Sequence, residues 1–160
     1  SFGCRMRWTA AALTVALLAA AFCVYLALSA RWGSGGRLPS FVERTAIVHR
    51  IIDGDTIELD GGERVRLVGI NAPELHPEPE PGALEAVKFL ENICPPGTTI
   101  GLNIDDMKTH DVYGRTLAVI YVKIGENWVN VNAELLRRGL AEILFIPPSE
   151  FNPWEWLENS

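Results

Sequence analysis

Residues 45–70 read TAIVHRIIDGDTIELDGGERVRLVGI, and three short strands are written into them. Thr45–Ile52 is β-branched and apolar and stops at Asp53-Gly54, a pair that marks a tight hairpin between two such runs. Asp55–Leu59 is the return strand, and Asp60-Gly61-Gly62 makes a second turn into Arg64–Ile70. In that third run Val65, Leu67 and Gly69 alternate with Arg66, Val68 and Ile70. One face is thus apolar or small, while the other begins with an arginine and then becomes apolar. Two short turns and three strands make a meander.

Outward from this meander, Pro73 and LHPEPEPG (75–82) break the pattern and predict a surface loop. A helix is expected from Gly82 to about Ile93, because Ala83, Ala86, Val87, Leu90, Ile93 and Cys94 recur at three- and four-residue steps. Pro95-Pro96-Gly97 ends it. Thr98–Ile104 and Thr116–Lys123 read as a fourth and a fifth strand around the polar loop DDMKTHDVYGR. A second helix is expected from Val131 to Arg138, capped by Asn130 or Asn132 and ended by Gly139. The tail FIPPSEFNPWEWLENS is irregular apart from a helical turn around Trp154–Leu157. Five strands in short hairpins, with a helix between the third and fourth, fit a mainly β architecture with two or three helices. The expected fold is a five-stranded OB-fold barrel.

The domain occupies residues 41–146, with 147–160 as a C-terminal extension. Residues 1–31 form an N-terminal segment and 32–40 (WGSGGRLPS) a flexible linker. Residues 8–30 carry no charge, and a helix of that length spans about 35 Å, enough for a hydrocarbon core. The run is longer than the hydrophobic part of a signal peptide, and a cut after Ala30 would put Leu28 where a small residue is wanted. It is therefore read as a transmembrane helix, an uncleaved anchor. Arg5 and Arg7 before it place the N-terminus in the cytoplasm and the domain on the extracytoplasmic side of the membrane. Cleavage would instead give a secreted domain.

The formal net charge of −6 is the sum of two unlike parts. All 20 acidic residues lie at or after Glu43, while Arg5, Arg7, Arg31 and Arg37 precede it among the 14 basic ones. Residues 38–160 therefore carry ten basic against 20 acidic side chains. That balance excludes a domain that holds nucleic acid by bulk positive charge, and an apolar content of 48% excludes a disordered chain. Cys94 is the single cysteine of the domain, so no intradomain disulfide forms, and it reads as packing. His49, His76 and His110 lack zinc spacing.

Three polar clusters interrupt the strand pattern: Asp53-Gly54-Asp55-Thr56, Arg66 with Asn71-Ala72-Pro73-Glu74, and Asp111-Val112-Tyr113-Gly114-Arg115. Singly, each has an ordinary structural explanation: a turn aspartate, a solvent-facing strand arginine, a solvated loop glutamate, a bare turn. Together, DGDT (53–56), RLVGINAPE (66–74), DVYGR (111–115) and NVNAELLRRGLAEI (130–143) resemble, in order, the thermonucleases, that is, staphylococcal-nuclease-like domains. The resemblance covers residues 45–146. It implies a calcium-dependent phosphodiesterase acting on DNA and RNA, single-stranded or locally open.

The same resemblance implies roles by position. Asp55, Asn71 and the backbone carbonyl of Ala72 stand as ligands of Ca²⁺. Glu74 stands as the catalytic glutamate, Arg66 and Arg115 as phosphate-binding arginines, and Tyr113 and Phe145 as residues beside the bound nucleotide. Asn71 stands where the family usually has an aspartate, which predicts weaker cation binding. The chemistry of these residue types agrees with the implied roles. Attack on a phosphodiester needs charge neutralisation, an activated water and stabilised equatorial oxygens, and arginine forks fit phosphate oxygens. The competing reading is a catalytically degenerate OB-fold module that binds single-stranded nucleic acid or a protein partner. A membrane-tethered scaffold gives these residues no reason to coincide, and no protein partner is otherwise predicted.

Overall fold

A computed structural model describes residues 37–158. The uncharged run at 8–30 lies outside them. Among the described residues, no helix is long and apolar enough to cross a membrane.

The strands are β1 (Arg44–Asp53), β2 (Thr56–Leu59), β3 (Arg64–Leu67), β4 (Gly69–Asn71), β5 (Thr99–Ile104), β6 (Thr116–Ile124), β7 (Asn127–Asn130) and β8 (Glu142–Leu144). The helices are α1 (Ala83–Ile93), α2 (Val131–Arg137) and α3 (Glu155–Glu158). Strands run in the order β3-β2-β1-β5-β6-β7, and β3 also pairs with β6. That last, parallel pairing closes β1, β2, β3, β5 and β6 into the expected five-stranded barrel, with β7 appended. Two register shifts in β1, between Val48 and Arg50 and between Ile51 and Asp53, bend it so that it can pair with both β2 and β5.

The meander departs from expectation at one point. Arg64–Ile70 is two strands, because Gly69 adopts φ 79°, a left-handed conformation that glycine enters without penalty. The chain turns there, leaves the barrel and pairs β4 with β8 in a separate antiparallel ribbon. The turn also breaks the alternation, so Ile70 is buried along with Val65 and Leu67. Strands β7 and β8 were not expected from sequence. β7 extends a hairpin turned at Gly125, and β8 is three residues long.

α1 buries Ala83, Ala86 and Leu90, with Cys94 behind them, as its periodicity predicts. Burial pushes the Cys94 thiol up to about 12, which agrees with a packing role. α2 is capped by Asn130, whose side chain accepts from the Ala133 N–H at 2.9 Å. It ends in a Schellman pair, Leu140 N–H to Leu135 O and Gly139 N–H to Leu136 O, with Gly139 at φ 67°.

Asn132, the other candidate cap, does something else. It is fully buried, accepts from Ile120 N–H at 3.1 Å, and donates to Val68 O at 2.9 Å and Ala118 O at 3.2 Å. It thereby fastens α2 to β6 and to the residue where β3 gives way to β4. Gly54 is needed for room rather than for a left-handed backbone. A Cβ there would lie 2.6 Å from Ala86 Cβ and 2.7 Å from Ala72 Cβ, so the β1–β2 turn presses directly on α1 and on the segment after β4. Trp156 packs against the core and its ring lies against Gly69.

Asn132→Ala should destabilise the domain by about 2–4 kcal/mol, since a buried amide and a carbonyl lose their partners and a cavity opens. The shift in urea midpoint at unchanged m-value measures it.

Candidate active site

The site forms where the β1–β2 turn, the end of β3, the segment after β4 and the β5–β6 loop meet. Asp55, in the tight turn, is 5% exposed. Its Oδ1 accepts from the Thr56 hydroxyl at 3.0 Å. Its Oδ2 accepts from the Ala72 N–H at 2.8 Å and faces Arg66 Nη2 at 3.2 Å. A buried carboxylate needs such partners. Here they tie the first hairpin to the chain leaving β4.

Arg66 points off β3 into this junction. Its Nη1 donates to the carbonyls of Leu67 at 2.7 Å and Ile70 at 2.9 Å, and its Nη2 to Asn71 Oδ1 at 3.2 Å. The turn at Gly69 makes this possible, because it folds Ile70 and Asn71 back over the arginine. Burial pushes the Arg66 guanidinium below its ordinary value, opposed by Asp55, and nearby Arg115 adds to the lowering while Glu74 and Asp111 also oppose it. An arginine stays protonated under these conditions. Asp55, Glu74, Asp111 and Arg115 thus all lie within electrostatic reach of one guanidinium.

Arg115 arrives from the β5–β6 loop and is held by Asp111. Asp111 Oδ2 accepts from Arg115 Nε at 2.7 Å, while Oδ1 accepts from the amides of Tyr113 at 2.9 Å and Arg115 at 3.0 Å. Gly114, at φ 76°, permits the turn. Arg115 Nη1 reaches Thr56 Oγ1 at 3.4 Å, and its guanidinium carbon lies 5.4 Å from the centre of the Tyr113 ring. Burial pushes the Asp111 carboxyl up, but the two amides and the Arg115 guanidinium outweigh it and hold the group below its ordinary value. Sequence reasoning gave Asp111 no role. Its signal was present in the spacing Asp-x-x-Gly-Arg, an aspartate able to fold back onto the amides two and four residues on.

Glu74 is exposed and follows Pro73 at the edge of the same junction. Desolvation, then Asp53, Asp55 and Glu80, push its carboxyl above the ordinary value, and Arg66 opposes them. Asn71 is exposed at the end of β4, and Ala72 is buried with its N–H on Asp55.

Beside the arginines lies a cavity of about 240 Å³ lined by Arg66, Asp111, Tyr113, Arg115, Leu144 and Ile146 among others. Tyr113 stands on its rim, 80% exposed. Phe145 turns the other way and meets Trp154 edge-on at 5.7 Å. Successive residues of an extended chain point to opposite sides, so Leu144 and Ile146 line the cavity in its place.

The donor set of Asp55, Asn71 and the Ala72 carbonyl consists of hard oxygens, the class that Ca²⁺ takes. Among the described residues, no group of three or more His, Cys, Asp or Glu side chains has the geometry to hold a metal ion. Two of the three donors here are an amide and a backbone carbonyl. Asp53 and Glu80 lie near Glu74 and add negative charge, while Asp55 Oδ2 and Asn71 Oδ1 both meet Arg66 Nη2, each at 3.2 Å.

The family description "Staphylococcal nuclease homologue" matches residues 64–157. The chain belongs to this family. Among curated relatives, it is 37% identical over 111 residues to a thermonuclease of Staphylococcus intermedius, covering 65% of this chain and 62% of that one. It is 34% identical over 118 residues to endonuclease YhcR of Bacillus subtilis, covering 66% of this chain and 9% of that one. It is also 29% identical over 118 residues to the uncharacterised protein MJ1439 of Methanocaldococcus jannaschii, covering 60% and 57%. The chain thus spans less than two thirds of the length of each of these relatives.

The lowered Asp111 value carries a pH signature. Its contribution to stability is full above the ordinary aspartate value of 3.8 and is lost as pH falls through the lower folded value. Asp111→Asn should therefore show a flatter fall in urea midpoint than the parent chain over about pH 5 to 2.

Proposed function

We propose that the domain is a nuclease that hydrolyses phosphodiester bonds of DNA and RNA, single-stranded or locally open, with help from Ca²⁺. The observation that carries the reading is the convergence of four segments around Arg66: its guanidinium pairs with Asp55 at 3.2 Å and also feels the charges of Glu74 and Arg115, while Arg115 reaches Thr56, the neighbour of Asp55, at 3.4 Å. Family membership and the thermonuclease and endonuclease relatives support it.

Arg66 is clamped by backbone carbonyls and Arg115 by Asp111, so both guanidinium groups are oriented before substrate arrives. Donors fixed in this way stabilise charge that develops on the equatorial phosphate oxygens without reorganising. Glu74, at the edge of the same junction, would take a proton from the attacking water, and desolvation, then Asp53, Asp55 and Glu80, raise its carboxyl above the ordinary value. Tyr113, on the rim beside Arg115, would flank a nucleotide, with the apolar side of the cavity open to its base. Asp55, Asn71 and the Ala72 carbonyl would hold the cation, which when bound supplies charge neutralisation at the phosphate.

The uncharged run at 8–30 supports a membrane-tethered domain on the extracytoplasmic side. The excess of acid over base after residue 38 makes attraction of a polyanion depend on the cation and the two arginines.

Two outcomes test the reading. Glu74→Gln should lower kcat on single-stranded DNA and RNA by about 10²–10⁴-fold with KM little changed, and a chelator should abolish cleavage by the wild-type chain. Nucleic-acid binding with no cleavage in any divalent ion would instead favour a catalytically degenerate binding module. Asn71→Asp should bind Ca²⁺ more tightly than the parent by calorimetry, because a carboxylate replaces a neutral amide. Equal or weaker binding would remove Asn71 from the cation site.

A further inference from the structure

Glu74 sits in the proline-rich loop after β4, yet its backbone is not loose. Its N–H donates to Glu80 Oε2 at 2.9 Å, and its C=O accepts from the Glu80 N–H, also at 2.9 Å. One residue thus grips both polar groups of the Glu74 main chain, once through its side chain and once through its amide. The next residue is gripped as well: the Leu75 N–H donates to Asp53 Oδ1 at 3.3 Å, in the β1–β2 hairpin. The turn Ala83 N–H to Glu80 O, at 3.0 Å, joins the far end of the loop to the start of α1.

These bonds have no evident purpose in the core. Glu74 and Glu80 are both exposed, and an exposed hydrogen bond contributes little to global stability because water competes for both partners. What the bonds do achieve is local. They close the seven-residue stretch from Glu74 to Glu80 into a ring and fasten it to the hairpin that carries Asp55. A general base must hold its carboxylate within about half an ångström of its working place, and a loop residue reaches that precision only if its main chain is fixed.

Resting on the nuclease reading above, we propose that Glu80, seconded by Asp53, is a positioning residue: it fixes the backbone of Glu74 and so aims the catalytic carboxylate. Glu80 acts on Glu74 and not on substrate. Its hydrogen-bond acceptor matters and its charge does not, which makes glutamine an adequate replacement and alanine an inadequate one.

The test compares the full wild-type chain with Glu80→Ala and Glu80→Gln, in saturating Ca²⁺ on a short single-stranded DNA. Glu80→Ala should lower kcat by about 10- to 100-fold and leave KM within about twofold, while Glu80→Gln should restore kcat to within about threefold of wild type. Amide hydrogen exchange supplies a readout independent of activity. The Glu74 N–H should exchange faster in Glu80→Ala than in wild type and be protected again in Glu80→Gln. An unchanged kcat in Glu80→Ala overturns the proposal. So does a Glu80→Gln as impaired as alanine, or a Glu80→Ala that loses its fold. Failure of the wild-type chain to cleave overturns the nuclease reading, and with it the catalytic use of this clamp. Cleavage by wild type with unaffected Glu80→Ala overturns the clamp alone.

Discussion

A single buried carboxylate organises the functional edge of this domain. Asp55 leaves water almost completely, and its two oxygens are satisfied by the Thr56 hydroxyl, the Ala72 N–H and the Arg66 guanidinium. Each partner belongs to a different constraint. Thr56 begins β2, Ala72 follows β4, and Arg66 rides on β3. Removing the carboxylate would leave a half-buried arginine with a lost counter-charge and a buried amide without an acceptor, the costly kind of deletion. The β1–β2 turn can approach this closely only because residue 54 has no side chain.

The rest of the site is layered outward from that junction. Arg66 is held from behind by the Leu67 and Ile70 carbonyls, Arg115 by Asp111, and Glu74 by Glu80. In every case a charged group has its own backbone or side chain fixed by a neighbouring polar partner. This arrangement suits an acidic domain. With little positive surface, attraction of an anion would have to come from a few charges set in place in advance.

Much of this was legible in the sequence, and the illegible parts have identifiable causes. The β1–β2–β3 meander, α1 and α2 follow from periodicity and from turn residues, both local signals. The break at Gly69 was missed because a glycine inside an alternating run also reads as a small residue on one face. β7 and β8 were missed because strands of four and three residues carry too few positions to show a period. Asn132 reads as a helix cap from sequence, but it lies one full step inside the helix and spends its amide on Val68, Ala118 and Ile120, which no local pattern can announce.

By itself the sequence determined the barrel meander, the helix faces, the split between an uncharged N-terminal run and an acidic domain, and the three polar clusters that interrupt the strands. Those properties depend on spacing along the chain and on side-chain chemistry. Only the tertiary structure decided that Asp55 and Ala72, 17 residues apart, share a hydrogen bond, that Arg66 and Arg115 converge, that Leu144 and Ile146 rather than Phe145 face the cavity, and that Glu80 grips Glu74. These relations are contacts across turns and between strands, set by how the barrel closes and where the chain turns out of it at Gly69, and closure is a property of the whole domain.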